Sequence, residues 1–475
     1  MKPFGFAEVR LGDEMLTGSS GLALMGLLLR RSGVPEAMDR SEPSGRSSRT
    51  SAGSIVLSLG GLITLGHPDF DRIEALRQDP AFGRSLGIRK VPSSPTLRQR
   101  SEVLFGATWD GDSVAVVAER EARCLQSETI VREGLARLQR SGNIRLGALR
   151  LPVSGRMVPV DVDTTVLEEA YGKKEGVGFT YQRVLGYTPC FAYIGTEGYI
   201  FDAELRPGTQ NSHKGTADAI RRARRQRDSF VPRRERLLWR MDSGCDSTDI
   251  LTALEDDPRD AYIVGHNRRG ESLDLWLTIA RRRGVRQQPR PGKTVWTGEV
   301  RRLCRHGGRR RCVFRLTVRE TDALGQAFIE PKVEIRLFWT NLPDPPEAII
   351  ACYADHGTSE QFHAEYKSDL GMEQFPSADY RVNRVLLLLG CLVFNALRQL
   401  GQQALRTRQV DPDERAPLRD PPRRRRLRSV IDDIIRIAAR VIYSGRRWFL
   451  SLGKTSPWAP VFLRLHRHCD NLLTT

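Results

Sequence analysis

Two aspartates stand where strand-like segments end. Arg156–Asp163 (RMVPVDVD) alternates apolar and polar residues, as a half-buried strand does, and finishes on Asp163. Arg236–Met241 (RLLWRM) is a second such run and delivers Asp242. If the two strands are neighbours, their carboxylates converge on one edge of a sheet, where they can hold divalent metal ions. Two such ions, about 4 Å apart, can activate a water or hydroxyl and stabilise a leaving oxygen, which is what phosphodiester chemistry needs at neutral pH. Each aspartate has a rival. Asp161 shares a face with Asp163 because side chains alternate along a strand. Asp246 follows Asp242 just past a Ser-Gly turn, where it could cap a helix. Residue types alone leave these assignments open, and a third acid would have to come from a helix packed beside the strands.

The elements that must position these residues follow from periodicity. From about residue 150 the order is strand, strand, strand, helix, strand, helix, strand: Arg156–Asp163, the hairpin Cys190–Gly195 and Tyr199–Leu205, a basic helix over 213–228, Arg236–Met241, helix Thr248–Leu254 and strand Ala261–Gly265. That alternation predicts a mixed α/β layer. Residues 270–342 break it with strands at Trp296–Arg301, Cys312–Glu320, Gln326–Pro331 and Lys332–Thr340, which predicts an all-β insertion. Helices return at Ser359–Asp369 and Arg381–Leu400. Ahead of this domain, residues 1–145 read as helical, with helices near 15–32, at Ile55–Leu65, Asp69–Gln78 and 113–141, and a loop over Ser41–Ser54. A basic helix lies within Val91–Phe105, a pattern compatible with a helix-turn-helix. A loop at 407–422 and the run Arg423–Arg428 open a basic C-terminal region, 401–475. The expected division is therefore 1–145, 150–400 with the insertion 270–342, and 401–475.

Composition points to the partner. The 75 Lys and Arg against 57 Asp and Glu leave a net charge of +18, which implies a polyanion, nucleic acid being the commonest. Only nine of the basic residues are Lys, and Arg suits bidentate phosphate contacts. The eight cysteines form no CxxC pair and no disulfide framework, which fits a reduced, cytoplasmic compartment. Cys304, His306 and Cys312 match no standard zinc spacing. The apolar run Val385–Phe394 is about half of the ~20 residues a membrane span needs, so it reads as a buried helix. Gly21–Leu29 lacks the flanks of a signal peptide.

The third acid comes from a resemblance. In YADHGTSEQFHAEYK (Tyr353–Lys367), Tyr353, His356, Glu360 and Lys367 fall on the gaps of two, three and six residues of the Tyr, Arg, Glu, Lys signature of insertion-sequence transposases, with His in place of Arg. DTT at Asp163, YGKKEG at Tyr171–Gly176, LRPG at Leu205–Gly208, LLWRMDSGCDS at Leu237–Ser247 and FWTNL at Phe338–Leu342 look alike too. So do LRQDPAF at Leu76–Phe82 and PSSPTLRQR at Pro92–Arg100. Together they resemble the thirteen-eighty family of the insertion-sequence-four-like superfamily of DDE transposases, from about residue 50 to beyond 440.

That resemblance implies a ribonuclease-H-like mixed sheet with the β insertion between the second aspartate and the glutamate, plus helical N- and C-terminal regions. Asp163, Asp242 and Glu360 would be catalytic and would bind two ions, Mg2+ by default with Mn2+ as a substitute. Tyr353, His356 and Lys367 would face DNA, with Glu360 and Lys367 two helical turns apart on one face. Arg98 and Arg100 would help the N-terminal region read the terminal inverted repeats, and the active form would be a homodimer on double-stranded DNA. Relatives with such an insertion hold a flipped base on an aromatic side chain. Trp296 and Trp339 are the candidates here, although tryptophans at such positions are more often core. The alternatives are a metal-dependent nuclease without strand transfer and a catalytically inactive, transposase-derived DNA-binding protein.

Overall fold

The strand read from RMVPVDVD is an interior strand of a ten-stranded sheet. In the computed structural model, which describes residues 9–42, 50–142, 146–169, 173–303 and 308–474, helix α1 (Val114–Ser141) leads into β1 (Gly155–Thr164). Val158, Val160 and Val162 enter one apolar core and Met157 another, so both faces of β1 are covered. The hairpin β2 (Cys190–Ile194) and β3 (Tyr199–Glu204) pairs antiparallel on one side of β1. Helix α2 (Thr216–Arg225) crosses to β4 (Leu237–Met241), and α3 (Thr248–Glu255) crosses to β5 (Asp260–Gly265). Both strands run parallel on the other side of β1. The order β3-β2-β1-β4-β5 is the ribonuclease-H-like sheet expected from the sequence.

The insertion continues this sheet. After helix α4 (Leu273–Arg283) come β6 (Val285–Arg290), β7 (Lys293–Leu303), β8 (Arg309–Thr321) and β9 (Ala327–Thr340), an antiparallel meander. Strand β9 is long enough to pair with β8 and, at its end, with β5, which joins the meander to the core. Two expectations are corrected. The insertion is not all β, because α4 opens it. Its signals were present: Ser272 accepts from Leu275 N–H as an N-cap, Asp274 lies in the first turn and Arg281–Arg283 in the last. The two strands read at Gln326–Pro331 and Lys332–Thr340 are also one. Pro331 falls where the β8–β9 register shifts, so its missing N–H interrupts no regular ladder.

Helices α5 (Pro346–Ala354) and α6 (Ser359–Ala364) follow, and then α7 (Tyr380–Ala404). The last is long and apolar enough to cross a membrane, yet its most apolar window is 94% buried within the protein, as the sequence reading of a core helix expected.

Two compact units result, Glu102–Asn395 around the sheet and a second made of residues up to 101 together with those from 396. These units group the chain differently from the three parts read from the sequence. Helix α1 goes with the sheet, and the chain ends fold on each other. Leu16–Thr17 pairs with Ala439–Arg440, and Ser20 Oγ donates to the Ile437 carbonyl at 2.7 Å. Gly21 passes so near the backbone of Ile434 and Ile435 that a Cβ there would collide with the Ile434 carbonyl oxygen. Within the run Arg423–Arg428, Arg423, Arg426 and Arg428 are exposed, but not every residue is. Arg425 is buried, stacks 4.2 Å over the Trp458 ring and pairs with Asp433, and Leu427 begins a buried turn. Of the expected loop at Ser41–Ser54, residues 43–49 lie outside the described residues, and Ser51 caps the helix Ala52–Thr64.

Candidate active site

Register brings the two aspartates together. Val162 pairs with Met241 in the parallel β1–β4 ladder, so Asp163 and Asp242 are the next residues at the carboxyl ends of adjacent strands. Each carboxylate is oriented by a backbone N–H: Thr164 donates to Asp163 Oδ1 at 2.8 Å, and Gly244 to Asp242 Oδ1 at 3.0 Å. They differ in electrostatics. Burial works against the charge of Asp163, but the hydrogen bond and positive charge of His363, the charge of His356 and the Thr164 N–H together hold it below the usual carboxylate range. Asp242 is pushed up, by the protein crowded around its carboxyl and then by the negative charge of Asp163. Like charges side by side raise one partner in this way unless a cation lies between them.

The rival aspartates are used up elsewhere. Two positions back from Asp163 and Asp242 in the same register, Asp161 faces Arg240, which donates to both carboxylate oxygens at 2.6 and 2.7 Å and to the Cys352 carbonyl at 2.7 Å. All of this is buried. Asp246 does not cap α3, a role taken by Ser247. It accepts instead from His266 and the Asn267 N–H, each at 2.9 Å, and from Trp339 Nε1 at 3.0 Å. A cleft of about 560 Å³ beside this cluster is lined by Asp246, His266, Arg269 and Arg302 and does not include Asp163 or Asp242.

Glu360 lies in the first turn of α6, exposed and without a hydrogen bond or ion pair among the described residues. Its neighbours fasten the helix to Asp163. Ser359 Oγ donates to Asp163 Oδ2 at 3.4 Å, and His363, one turn on, reaches the same oxygen through Nε2 at 3.2 Å. A carboxylate only accepts, so Nε2 carries a proton, and Nδ1 lies 3.0 Å from the Tyr193 hydroxyl. Among the described residues no three or more His, Cys, Asp or Glu side chains are gathered closely enough to hold a metal ion in common. The donor chemistry of the aspartate pair suits a divalent cation, since both are carboxylates and one is disfavoured as an anion by the other. Glu360 stands apart from them, on an unpaired side chain able to move.

The sequence matches the family described as Transposase DDE domain group 1 over residues 9–473. The chain belongs to this family. It is therefore a DDE transposase by descent, and its carboxylates sit on the mixed sheet described above. No curated protein matches the sequence. Among solved structures, a piggyBac transposase synaptic complex with hairpin DNA is similar at a TM-score of 0.40 and 10% identity, covering 81% of this chain and 77% of that one.

The other residues singled out in the transposase sequence have mixed placements. Tyr353 is half-buried and packed on Phe338 with ring centroids 4.6 Å apart. Burial and then the charges of Asp242 and Asp163 push its phenol up. His356 is buried rather than presented to DNA, with its Nδ1 2.9 Å from Asp161 Oδ1. Lys367 is half-buried. Burial lowers its ammonium, opposed by the charges of Glu373 and Asp163. It does not share a regular helix with Glu360, because Glu365–Asp369 is a π-helical segment that breaks the two-turn spacing. Arg98 is partly exposed and 3.6 Å from Asp71, whereas Arg100 is largely buried against Glu42 and is not free for DNA. The basic helix α2 is partly neutralised from within: Arg222 pairs with Asp202 and Glu204, and Arg224 with Asp260, whereas Arg221 and Arg225 stay exposed. Trp339 is core, as expected, and Trp296 packs partly against the same core. Tyr171 and Gly172, like Cys304 and His306, lie outside the described residues.

Two residues were missed. His363 was within the quoted string, three positions after Glu360, and that helical spacing was the available signal. Tyr181 had none. It is exposed on the turn between the short strands Gly178–Phe179 and Leu185–Tyr187, its hydroxyl donates to the Thr164 carbonyl at 3.3 Å, and it lies within electrostatic reach of Asp163 and Asp242.

Proposed function

We propose that this transposase cuts DNA at the terminal inverted repeats of an insertion sequence and joins the freed ends to target DNA, a cut-and-paste reaction. Hydrolysis of one phosphodiester frees a 3′-hydroxyl, and that hydroxyl then attacks a phosphodiester of the target. No covalent protein intermediate is needed. The observation that carries this reading is the adjacency of Asp163 and Asp242 at the sheet edge, reached by a family member through register alone. The thirteen-eighty grouping, a homodimer holding both ends and a cytoplasmic location belong to the same proposal.

Asp163 and Asp242 would hold two Mg2+ ions, or Mn2+ in their place, with Glu360 completing the set. Such ions, when bound, activate the attacking oxygen and stabilise the leaving one. The chain's own contribution is positional. His363 and Ser359 fix the orientation of Asp163, much as outer partners orient metal ligands elsewhere. Lys367 adds positive charge near Asp163 for a phosphate, and Tyr353 forms an apolar wall beside both aspartates.

The test is cleavage of DNA carrying the element's own terminus, with Mg2+ or Mn2+, comparing wild type with Asp242→Asn on denaturing gels. Metal-dependent cutting at the repeat boundary, lost in the variant, supports the reading. Joining of the cut end to a second duplex separates transposition from simple nuclease action. Tight binding with no cutting under either metal would replace the reading with a non-catalytic DNA-binding one.

A further inference from the structure

The two faces of the insertion meander differ in chemistry. Cys312, Phe314 and Leu316 of β8, with Leu337 and Trp339 of β9, point into the main core, and α4 packs on that side. The opposite face begins apolar. Val313 and Phe338 are buried near Ile349, and Thr297 hydrogen-bonds Glu347 at 2.5 Å. Further out it turns basic. Lys293 of β7, Arg315 and Arg319 of β8, and Lys332 and Arg336 of β9 all lie on this face, since residues two apart share a side.

The register sets these charges against one another. Arg315 is directly opposite Arg336, and Arg319 is opposite Lys332 on one side and Lys293 on the other. Like charges in directly opposed positions destabilise a sheet. Only one acid relieves them among the described residues: Glu334 pairs with Arg319 and Arg336, both at 3.0 Å. Lys293 and Arg315 have no partner among the described residues. Together with Thr317 these side chains line a shallow depression of about 140 Å³. The face leads back toward the aspartates. Arg336 lies two residues before Phe338, on which Tyr353 packs, and Tyr353 is within electrostatic reach of Arg336, Asp163 and Asp242.

We propose that this face of the meander is a track for the phosphodiester backbone of duplex DNA leading to Asp163 and Asp242. The assignment rests on the transposase reading and adds to it the surface that carries the duplex. A sheet that opposes cation to cation at three positions gives up stability of its own, and a polyanion laid across it removes the repulsion. Arg and Lys side chains on a flat face contact phosphates without reading bases, so the track is indifferent to sequence.

The test uses the full chain and a fluorescein-labelled duplex of arbitrary sequence, without divalent ions, with affinity measured by anisotropy across a range of KCl. Wild type is compared with the double variant Lys293→Gln/Arg315→Gln. A control, Arg281→Gln/Arg282→Gln on the exposed side of α4, removes the same charge. The slope of log K against log salt is expected to fall in magnitude by about 2 in the first variant, roughly 0.9 for each phosphate no longer neutralised, and to hold in the control. The melting temperature of the first variant is expected to stay level or rise, because opposed cations have been removed, and a fall by several degrees with the same change of slope would instead indicate a damaged sheet and overturn the assignment. An unchanged slope, or an equal fall in the control, also overturns it. A wild-type chain that binds no duplex at any salt concentration sinks the transposase reading itself.

Discussion

His363 Nε2 lies 3.2 Å from Asp163 Oδ2 while its other ring nitrogen lies 3.0 Å from the Tyr193 hydroxyl. The imidazole thus holds the first aspartate of the pair in one orientation and ties α6, which carries Glu360, to the end of β1. Partners of this kind typically contribute 10- to 100-fold to metal affinity or activity.

Replacing His363 with Ala is therefore expected to lower cleavage about 10- to 100-fold and to raise the metal concentration needed for half-maximal rate. His363→Gln, which can still donate to Asp163, is expected to recover part of the activity. Rate measured against Mg2+ concentration separates the cases, and a variant with wild-type metal dependence would falsify the positioning role.

The buried Asp161–Arg240 pair is expected to be structural. Asp161→Ala leaves Arg240 and His356 facing each other without their acceptor, and should cost about 3–5 kcal/mol in urea unfolding. Arg240→Met should cost a similar amount. If the Asp161 variant stays as stable as wild type but no longer cuts, Asp161 rather than Asp163 belongs to the catalytic set.

Restoring the family's Arg at position 356 should not restore a DNA contact. The side chain there is buried and shares Asp161 with Arg240, so a longer cation would overpack the site. His356→Arg is expected to cost about 1–3 kcal/mol of stability and to leave affinity for end DNA unchanged. A clear gain in affinity without destabilisation would show that the helix can turn this position outward.

Asp246 offers a control for Asp242. Burial opposes its charge, but hydrogen bonds from His266 and the Asn267 N–H win and hold its carboxyl below the usual range. A depressed carboxylate stabilises the fold above its unfolded value, about 3.9, and loses that contribution as pH falls through the lower folded value. Asp246→Asn is therefore expected to reduce stability near neutral pH by about 1–3 kcal/mol, with the deficit shrinking as pH drops below about 4, and to retain cutting. Thermal melts of the two proteins across acid pH, beside a cleavage assay at neutral pH, check both halves.

The sequence by itself determined the α/β class and the places where strands end on acids, and its resemblance to DDE transposases agrees with the family match. The first two are properties of local periodicity and spacing. Alternation in RMVPVDVD and RLLWRM defines strands whose last residues are fixed whatever packs around them, and the Tyr353–Lys367 string keeps its gaps along the chain. Tertiary structure decided which acids remain available. Asp161 and Asp163 are equivalent in an alternating pattern, and only the pairing of β1 with β4 gives Asp161 an arginine and Asp163 an aspartate as neighbour. Burial of His356, the ion pair that holds Arg100, and the inward pairing of Arg222 and Arg224 on α2 depend on partners far away in sequence, which composition cannot reveal. The same holds for the basic face of the meander. Its arginines and lysines are scattered along three strands, and cross-strand register alone sets them side by side.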